Sequence, residues 1–510
     1  MRVFYKLENG CKINFKNEVG MKVLMIGMDG AHIDVFKRGW TPFISSLIEK
    51  GKQLNVKNDL ISRGWLEVAT GQHASVTGAM YDRPKVNGSY DWLDDFSIND
   101  IPGIGVSVKP LWQALNEEGY RVGVMNLPTT FPAPKVDGFF VSGGGGGAPV
   151  VEHATPELCY PKEVLGVLEE NNYIVDERIV QLVVEKKLTT PDAIFTELAE
   201  KNKKRTCSFI KLANSYKVDF GFVVYKTSSV TAETVVTPEW QKVINGANDV
   251  DQSIIDAMKS YYHKFDSEIK KLYEAFPSAE IIFVSDHGTI SRSHSVNLNI
   301  FLQESGFQSS KARENITKSV IVKLKKLLPF PLKMALKKIS MVRETVATVG
   351  SFDKANSVAF CRTKNDWVHG IFINDQSRFG GPVDEKNFSI VKNNIIKLFN
   401  SHPDVVAHGL RAFSKKERGA GVLEFYPDIE IEVPSGYLTT DISSSFITDF
   451  ISPKGSVGLS SVLRGDIASI KSHEPLAVVV GKTLEENVPV ANGRDLTAIY
   501  DIVLKIFKPQ

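Results

Sequence analysis

Polar side chains that can bind a metal ion follow two apolar segments that lie far apart in the sequence. Asp29 comes directly after the run Lys22 to Met28, and Asp286 and His287 follow the run Glu280 to Ser285. Carboxylate and imidazole groups suit Zn, Mn or Fe, and strands distant in sequence can converge at one sheet edge. Asp-Gly and Asp-His-Gly also end strands without binding anything. These residues alone leave both interpretations open.

The elements that must position these residues alternate between two types. Short aliphatic runs predict buried strands, and stretches with helical spacing separate them. The segments are the strand Lys22 to Met28, the helix Leu111 to Glu118, the strands Arg121 to Met125 and Asp219 to Tyr225, the helix Val250 to Phe276 and the strand Glu280 to Ser285. This alternation predicts an α/β fold with a mostly parallel, doubly wound sheet, whose strand ends carry ligand sites.

Composition and charge indicate an ordinary globular protein. The 510 residues are 43% hydrophobic and 24% charged, and 61 basic against 59 acidic side chains leave a net charge of +2. Balanced charge argues against a nucleic-acid partner. We find no apolar run of bilayer length, no secretory signal and no metal-ligand spacing among the four cysteines. We therefore expect a cytoplasmic protein, and the oligomeric state stays unknown.

The chain is expected to divide into four segments. Residues 1–20 are an extension outside the core, because Met21 opens a sequence typical of a protein start. Residues 21–308 and 436–510 form the two parts of the α/β core. Residues 309–435 form an inserted cap domain that lies over the strand ends and selects the substrate.

The cap segment contains a basic amphipathic stretch at residues 311–338. Nine lysines and arginines stand there against the single acid Glu314. Such a stretch can lie on an anionic membrane. Lys-rich helix surfaces are common, so a solvated helical face is the favoured interpretation and membrane contact the less favoured one. Farther along, Gly370 to Ile373 and Asp428 to Val433 are predicted strands around the helix Phe388 to Phe399.

Further segments, taken in chain order, resemble the nucleotide pyrophosphatase and type I phosphodiesterase branch of the alkaline phosphatase superfamily. They are MKVLMIGMDGAH from Met21, Trp65 to Gly71, Lys109 to Trp112, Val124 to Pro132, Asp137 to Gly143, FVVYKTSS from Phe222, IIFVSDHG from Ile281, Asn297 to Asn299, Gly370 to Asn374 and Tyr426 to Asp428. Each segment is weak alone, but their order is specific. The resemblance implies an alkaline phosphatase-like fold and a two-metal site, in which a Thr or Ser nucleophile is phosphorylated and then hydrolysed.

The resemblance implies one complete metal position at Asp29, Asp286 and His287. A late histidine of the family falls on His473, in the sequence Ser-His-Glu-Pro. An exposed turn histidine is the alternative interpretation of His473.

The second metal position departs from the family pattern, because Ser229 and Glu233 stand where the family has Asp and His. Glu233 can bind a hard cation, but Ser229 is a poor substitute for a carboxylate. Three explanations remain: two metals with altered ligands, one metal with Arg63 or Lys226 supplying the other charge, or a binder that no longer hydrolyses esters. The expected cofactor is one or two divalent ions, with Zn or Mn favoured over Mg or Ca.

The resemblance implies a nucleophile at the amino end of the helix that leads to Thr70-Gly71. Strict counting places Ile61 there, and Ser62 is one residue away. A helix amino terminus stabilises an attacking alkoxide and a phosphoryl group, but the same position suits a plain N-cap. We expect Ser62 to attack and to contact the metal, and Arg63 to clamp an anionic oxygen.

These residues together predict a metal-dependent hydrolase, or transferase, of phosphate monoesters or diesters that works through a phosphoryl-serine intermediate. The substrate is expected to be an anionic small molecule or a glycan or lipid ester, which Arg63 and Lys226 contact. Sulfate esters are the nearest chemical alternative, although the sulfatase sequence with Cys or Ser before x-Pro-x-Arg is absent. A noncatalytic binding protein that keeps the fold is the alternative from another class.

Overall fold

The computed structural model describes most of the chain. The described residues are 20–81, 83–93, 96–100, 108–144, 151–176, 178–185, 187–226, 229, 236, 240–309, 352–362, 370–415, 424–440, 443, 445–451, 468–487 and 494–507. The basic stretch 311–338, Glu233 and nearly all of the segment 1–20 lie outside them.

The described strands include those of one large sheet and of several small ones. In chain order they are β1 (Val23–Met28), β2 (Lys52–Gln53), β3 (Val56–Lys57), β4 (Arg83–Pro84), β5 (Trp92–Leu93), β6 (Val122–Leu127), β7 (Gly138–Ser142), β8 (Cys159–Tyr160), β9 (Phe220–Tyr225), β10 (Glu280–Val284), β11 (Gly288–Ser291), β12 (His294–Val296), β13 (Ala359–Phe360), β14 (Gly370–Ile373), β15 (Arg411–Ser414), β16 (Ile429–Glu432), β17 (Tyr437–Thr439), β18 (Ile447–Asp449), β19 (Ser469–Ser472), β20 (Ala477–Val480) and β21 (Arg494–Asp495).

The described helices range from single turns to two long helices that pack together. In chain order they are α1 (Ile33–Phe36), α2 (Pro42–Lys50), α3 (Gly64–Thr70), α4 (Ala74–Thr77), α5 (Leu111–Glu117), α6 (Val164–Glu170), α7 (Ile179–Val184), α8 (Pro191–Tyr216), α9 (Trp240–Asn245), α10 (Gln252–Ala275), α11 (Leu298–Glu304), α12 (Gln376–Phe379), α13 (Glu385–Ser401), α14 (Pro403–His408), α15 (Lys482–Asn487) and α16 (Ala498–Phe507). Among the described residues, no helix has both the length and the apolar character that spanning a membrane requires.

The central sheet has eight strands in the order β2-β20-β10-β1-β9-β6-β7-β8. The five strands from β10 to β7 run parallel, and the outer strands at both edges pair antiparallel. This arrangement confirms the predicted α/β class with a mostly parallel sheet.

Helices cover both faces of this sheet, as a doubly wound fold requires. Along β1, Leu24 and Ile26 point into the core on one face, whereas Val23 and Met25 point into the core on the other. The first face packs against α2, α6, α8 and α10, and the second packs against α3, α5 and α16. Burial on both faces explains why the central strands are continuous apolar runs without polar alternation.

A second group of strands has its own apolar core. The sheet β13-β14-β16-β15 packs against α13 and α14. The same core includes Phe301 from α11 and Phe446 beside β18. Packing in this part therefore involves residues on both sides of the predicted cap segment 309–435, and the four domain boundaries stay a prediction.

Candidate active site

The pairing register of the parallel strands sets the positions of the candidate ligands. Gly27 of β1 lies opposite Val284 of β10, so Asp29 and Asp286 each lie two residues beyond the same level of the sheet. On the other side of β1, Met28 lies opposite Tyr225 of β9, which brings Lys226 level with Asp29. The carboxyl edge of the sheet therefore carries two acids and one lysine, as ligand sites of parallel sheets commonly do.

Asp29, Asp286 and His287 form a compact group that we call the carboxylate–histidine cluster. One ligand atom from each residue lies within 4.8 Å of the others, and all three side chains are buried. The His287 Nε2 atom lies 3.8 Å from Asp29 Oδ1 and 3.6 Å from Asp286 Oδ2. These separations are too long for good hydrogen bonds. The structure therefore brings together the three residues for which the sequence predicts one complete metal position.

The two carboxyl groups of the cluster differ in their affinity for a proton. Burial and the neighbouring charge of Asp29 raise the pKa of Asp286 to about 8. Burial acts in the same sense on Asp29, but the charges of His287, Lys226 and Lys471 and a hydrogen bond from Trp65 outweigh it, and the pKa of Asp29 is lowered. Without a cation, one buried carboxyl group therefore holds a proton because its neighbour is ionised.

This donor set fits a divalent metal ion. Metal–ligand bonds of about 2.1 Å at a tetrahedral angle place neighbouring ligand atoms about 3.4 Å apart, close to the separations from His287 Nε2. His287 Nδ1 donates to the carbonyl of Gly288 at 2.6 Å, so the neutral ring has its lone pair on Nε2, the atom near the carboxylates. A divalent ion would also remove the repulsion between Asp29 and Asp286. The cluster therefore has the chemistry and the spacing of a metal centre.

Residues that the sequence did not single out hold this cluster in place. Trp65 Nε1 donates to Asp29 Oδ2 at 3.0 Å, and Asn58 Nδ2 donates to the Asp286 carbonyl at 3.0 Å. Gly64 begins α3 directly against Asp286, because a Cβ atom at Gly64 would lie 2.3 Å from the Asp286 carbonyl oxygen. The glycine therefore lets the start of α3 contact the backbone of a candidate ligand.

Comparison with known proteins identifies the family. The sequence matches the profile of the type I phosphodiesterase / nucleotide pyrophosphatase family over residues 23–348, which is more than half of the chain. The chain belongs to this family. Membership places it among the phosphoric ester hydrolases of the alkaline phosphatase superfamily and confirms the resemblance that the motifs predict.

One solved structure, that of phosphonoacetate hydrolase, shows the same fold at low sequence identity. Phosphonoacetate hydrolase from Sinorhizobium meliloti, solved with phosphonoacetate, aligns with a TM-score of 0.53 at 12% identity over 96% of both chains. Murine ectonucleotide pyrophosphatase / phosphodiesterase 5 aligns with a TM-score of 0.45 at 14% identity, over 96% of this chain and 95% of that chain. A search of curated proteins finds no match.

In this phosphodiesterase-family chain, the predicted nucleophile loop, residues 61–63, leads directly into α3. Arg63 is the N-cap residue of α3, and its Nε atom donates to the Met80 carbonyl at 2.9 Å. Ser62 lies one residue earlier and is 1% exposed, and its hydroxyl has no hydrogen-bond partner of ordinary geometry among the described residues. Ser62 lies close enough to Glu67 to lower the pKa of that carboxyl group. Ile61, which strict counting selects, is buried in an apolar cluster.

The other predicted ligands lie at varied distances from the cluster. Ser229 is buried beside Gly30, and its hydroxyl donates to the Lys226 carbonyl at 2.9 Å. His473 Nδ1 donates to the Asn58 carbonyl at 2.9 Å, so His473 and Asp286 share Asn58 as a partner. Among the histidines, cysteines and acids of the described part of the chain, the group of ligand atoms within 4.8 Å does not include His473. Glu233 lies outside the described residues.

Two cationic side chains approach the cluster. Lys226, a predicted substrate contact, donates from Nζ to the Gly144 carbonyl at 3.3 Å. Lys471 on β19 was not predicted, and its Nζ donates to the Tyr81 hydroxyl at 2.6 Å. Its signal in the sequence is its position two residues before His473, because alternate residues of a strand share one face.

A buried glutamate beside Ser62 gives the protein a pH-dependent stability. Glu67 is 1% exposed, and its Oε1 lies 3.7 Å from His73 Nε2. Burial raises the pKa of Glu67 from 4.5 to about 7, and the charge of Asp59 acts in the same direction, although His73 and Ser62 oppose it. Between these pH values folding takes up a proton, so the free energy of unfolding falls as the pH rises.

Glu67→Gln removes this titration, because the glutamine side chain has the same shape as glutamate and does not ionise. From pH 4.5 to pH 8, the variant is expected to gain about 1–3 kcal/mol of stability relative to the wild type. Denaturant unfolding at several pH values measures the difference. Glu169→Gln, at an exposed glutamate on α6, is the matched control and should follow the wild type. A pH-independent difference for Glu67→Gln would contradict the prediction.

Proposed function

We propose that this chain hydrolyses phosphate monoesters or diesters with a divalent metal ion held by Asp29, Asp286 and His287. The convergence of these three buried side chains within 4.8 Å, in a chain of the type I phosphodiesterase family, is the observation that carries the proposal. When bound, the metal ion would supply Lewis-acid stabilisation of the negative charge on the reacting oxygens. Zn or Mn suits the mixed carboxylate and imidazole ligands best.

The protein groups around the cluster can supply the remaining chemistry. The Ser62 hydroxyl would attack phosphorus, the ester alcohol would leave, and water would then hydrolyse the phosphoserine. Glu67 is placed to take the Ser62 proton, because a pKa of about 7 suits a general base near neutral pH. Ser62 is 1% exposed, so the attack requires this loop to open toward the cluster. Arg63 and Lys226 would contact the anionic substrate.

The substrate class follows from the charge of the site. Half-buried lysines and a divalent ion favour a small anionic ester, and esters of nucleotides, glycans or lipids all present such a group. Phosphonates join the candidates, because phosphonoacetate hydrolase shares the fold. Sulfate esters remain the chemical alternative.

A panel of esters tests the proposal directly. p-Nitrophenyl phosphate, bis-p-nitrophenyl phosphate, p-nitrophenyl sulfate and phosphonoacetate are assayed with Mn, Zn, Mg and Ca. We expect turnover of at least one phosphate ester and one tightly bound metal per chain by elemental analysis. If no ester is turned over with any metal, the noncatalytic binding protein replaces the hydrolase.

The nucleophile has its own test. Ser62→Ala is expected to lower kcat by about 10³-fold or more while metal binding stays unchanged, because the attacking oxygen is lost and the ligands remain. Ser208→Ala on α8 is the matched control, since Ser208 is also fully buried with a hydroxyl that lacks a hydrogen-bond partner among the described residues. Full activity of Ser62→Ala would show that another group attacks.

A further inference from the structure

Lys226 and Lys471 approach the carboxylate–histidine cluster, and Arg63 lies beside Tyr81, the partner of Lys471. Lys226 donates to the Gly144 carbonyl, and Arg63 donates through Nε to the Met80 carbonyl. Both therefore have part of their hydrogen-bonding capacity directed toward backbone atoms. Lys471 donates to a side-chain hydroxyl, that of Tyr81, at 2.6 Å.

The strand that carries Lys471 is fixed beside the cluster. β19 pairs antiparallel with β11, and Lys471 lies directly opposite Thr289. β11 begins immediately after His287, and Thr289 Oγ1 donates to the Gly30 carbonyl at 2.7 Å. The backbone of Lys471 is therefore held next to residues that adjoin two of the candidate ligands.

The Lys471 side chain lies near enough to both carboxyl groups for its charge to lower the pKa of each. The charge of Lys471 acts on Asp29 and on Asp286, whereas the charge of Lys226 acts on Asp29. Tyr81 holds the ammonium group through its hydroxyl, and the Arg63 guanidinium lies over the Tyr81 ring, 5.1 Å from its centre. Lys471 is therefore a cation that Tyr81 holds close to the two acids.

The charge balance of the site calls for a further positive charge beside a bound phosphate ester. Two ionised carboxylates cancel the charge of one divalent ion, so a bound phosphate ester would keep its own negative charge in a buried site. Burying an uncompensated charge is expensive, and a fixed ammonium group removes that cost. The position that would complete a second metal site has the buried hydroxyl of Ser229 in place of a carboxylate.

We propose that Lys471, held by Tyr81, binds a phosphoryl oxygen of the substrate and supplies the positive charge that a second metal ion would otherwise provide. This inference rests on the proposed hydrolase function and names the group that binds the substrate anion. Lys471 is a substrate-binding residue, and Tyr81 is its positioning residue. The site then works with one metal ion and one lysine.

Phosphate binding tests the proposal without requiring turnover. Inorganic phosphate is titrated into the manganese-loaded protein by calorimetry, and manganese per chain is measured by elemental analysis. Lys471→Met is expected to weaken phosphate binding about 10–100-fold, the usual value of a hydrogen bond to a charged group, and to keep one manganese per chain. Lys471→Arg should recover part of the affinity. Lys482→Met is the matched control, because the Lys482 side chain is 89% exposed, and should bind phosphate like the wild type.

Tyr81→Phe separates positioning from folding. It keeps the ring and removes the hydroxyl, so phosphate binding should weaken about 5-fold, with unchanged manganese content and an unchanged melting temperature. Phosphate affinity in Lys471→Met equal to that of the wild type would overturn the proposal. Two manganese ions per wild-type chain would also overturn it. The same holds if Lys471→Met loses its manganese as well as its phosphate binding.

The failure of this inference differs from the failure of the hydrolase function. If the wild type turns over an ester but Lys471→Met binds phosphate equally well, the proposed role of Lys471 is refuted and the hydrolase function stands. Phosphate binding that depends on Lys471, in a protein that turns over no ester, supports the lysine and refutes the hydrolase.

Discussion

Replacing Asp286 by alanine is expected to lower kcat/KM for the best phosphate ester by about 10³-fold or more, because electrostatic stabilisation of the transition state commonly provides this much. Asp286 is 3% exposed and lies 3.6 Å from His287 Nε2, so its loss removes one of three clustered ligands. Metal content should fall with activity. Steady-state kinetics and elemental analysis on the same preparation measure both.

The control for Asp286→Ala distinguishes lost ligation from lost folding. Asp286→Asn keeps the side-chain volume but cannot ionise to bind a cation, so it should fold and still lose the metal. Asp256→Ala, at an exposed carboxylate on α10, should keep both metal and activity. Wild-type kcat/KM in Asp286→Asn would show that the cluster does not bind the catalytic metal.

Gly64→Ala is expected to destabilise the protein by about 3 kcal/mol and to reduce metal affinity as well. The added Cβ atom would lie 2.3 Å from the Asp286 carbonyl oxygen and 2.6 Å from Asn58 Nδ2. Neither α3 nor the turn after β10 can move without disturbing the apolar core beneath, and overpacking of this kind costs about 1–3 kcal/mol or more. Chemical denaturation and metal titration measure the two effects.

Gly166→Ala is the matched control for Gly64→Ala. Gly166 lies inside α6, and a Cβ atom there would meet nothing within 4 Å. Alanine should therefore raise stability by about 0.5–1 kcal/mol through helix propensity alone. If both glycine variants change stability in the same direction, close packing of α3 against Asp286 is not the reason for the glycine.

The local spacing of apolar residues predicted the individual helices and strands well, because the buried face of each element determines that spacing. The helix predicted at Val250 to Phe276 is Gln252–Ala275, and the strand predicted at Glu280 to Ser285 is Glu280–Val284. The direction and placement of the strand Ala477–Val480 were not predicted. It runs antiparallel between two other strands, and only contacts between distant parts of the chain determine that choice.

The convergence of the candidate ligands was predictable, because each of them follows a strand of the parallel sheet. Asp29, Asp286 and His287 converge as predicted because parallel strands present their carboxyl ends at one edge. Lys471 was missed because its partner Tyr81 lies 390 residues away in the sequence. Contacts of this separation leave no local pattern.

The nucleophile loop shows a limit of locating a residue by counting along the sequence. Counting back from Thr70-Gly71 selects Ile61, which proves to be an apolar core residue, whereas α3 begins at Gly64. A loop can gain or lose one residue without changing the helix that follows it, so spacing alone does not determine which side chain faces the cluster. The role of Ser62 therefore stays a prediction for kinetics to decide.

The strand order of the central sheet has a consequence during synthesis on the ribosome. Asp286 follows β10, and one of the two strands that pair with β10 is β20. The ribosome makes β20 almost 200 residues later: the hydrogen bond from Leu476 to Ser285 beside this pair joins residues 191 positions apart. Until β20 emerges, one side of β10 is an unpaired apolar edge, the kind of surface that invites aggregation. We therefore expect the nascent chain to need protection at β10 until its last strands are complete.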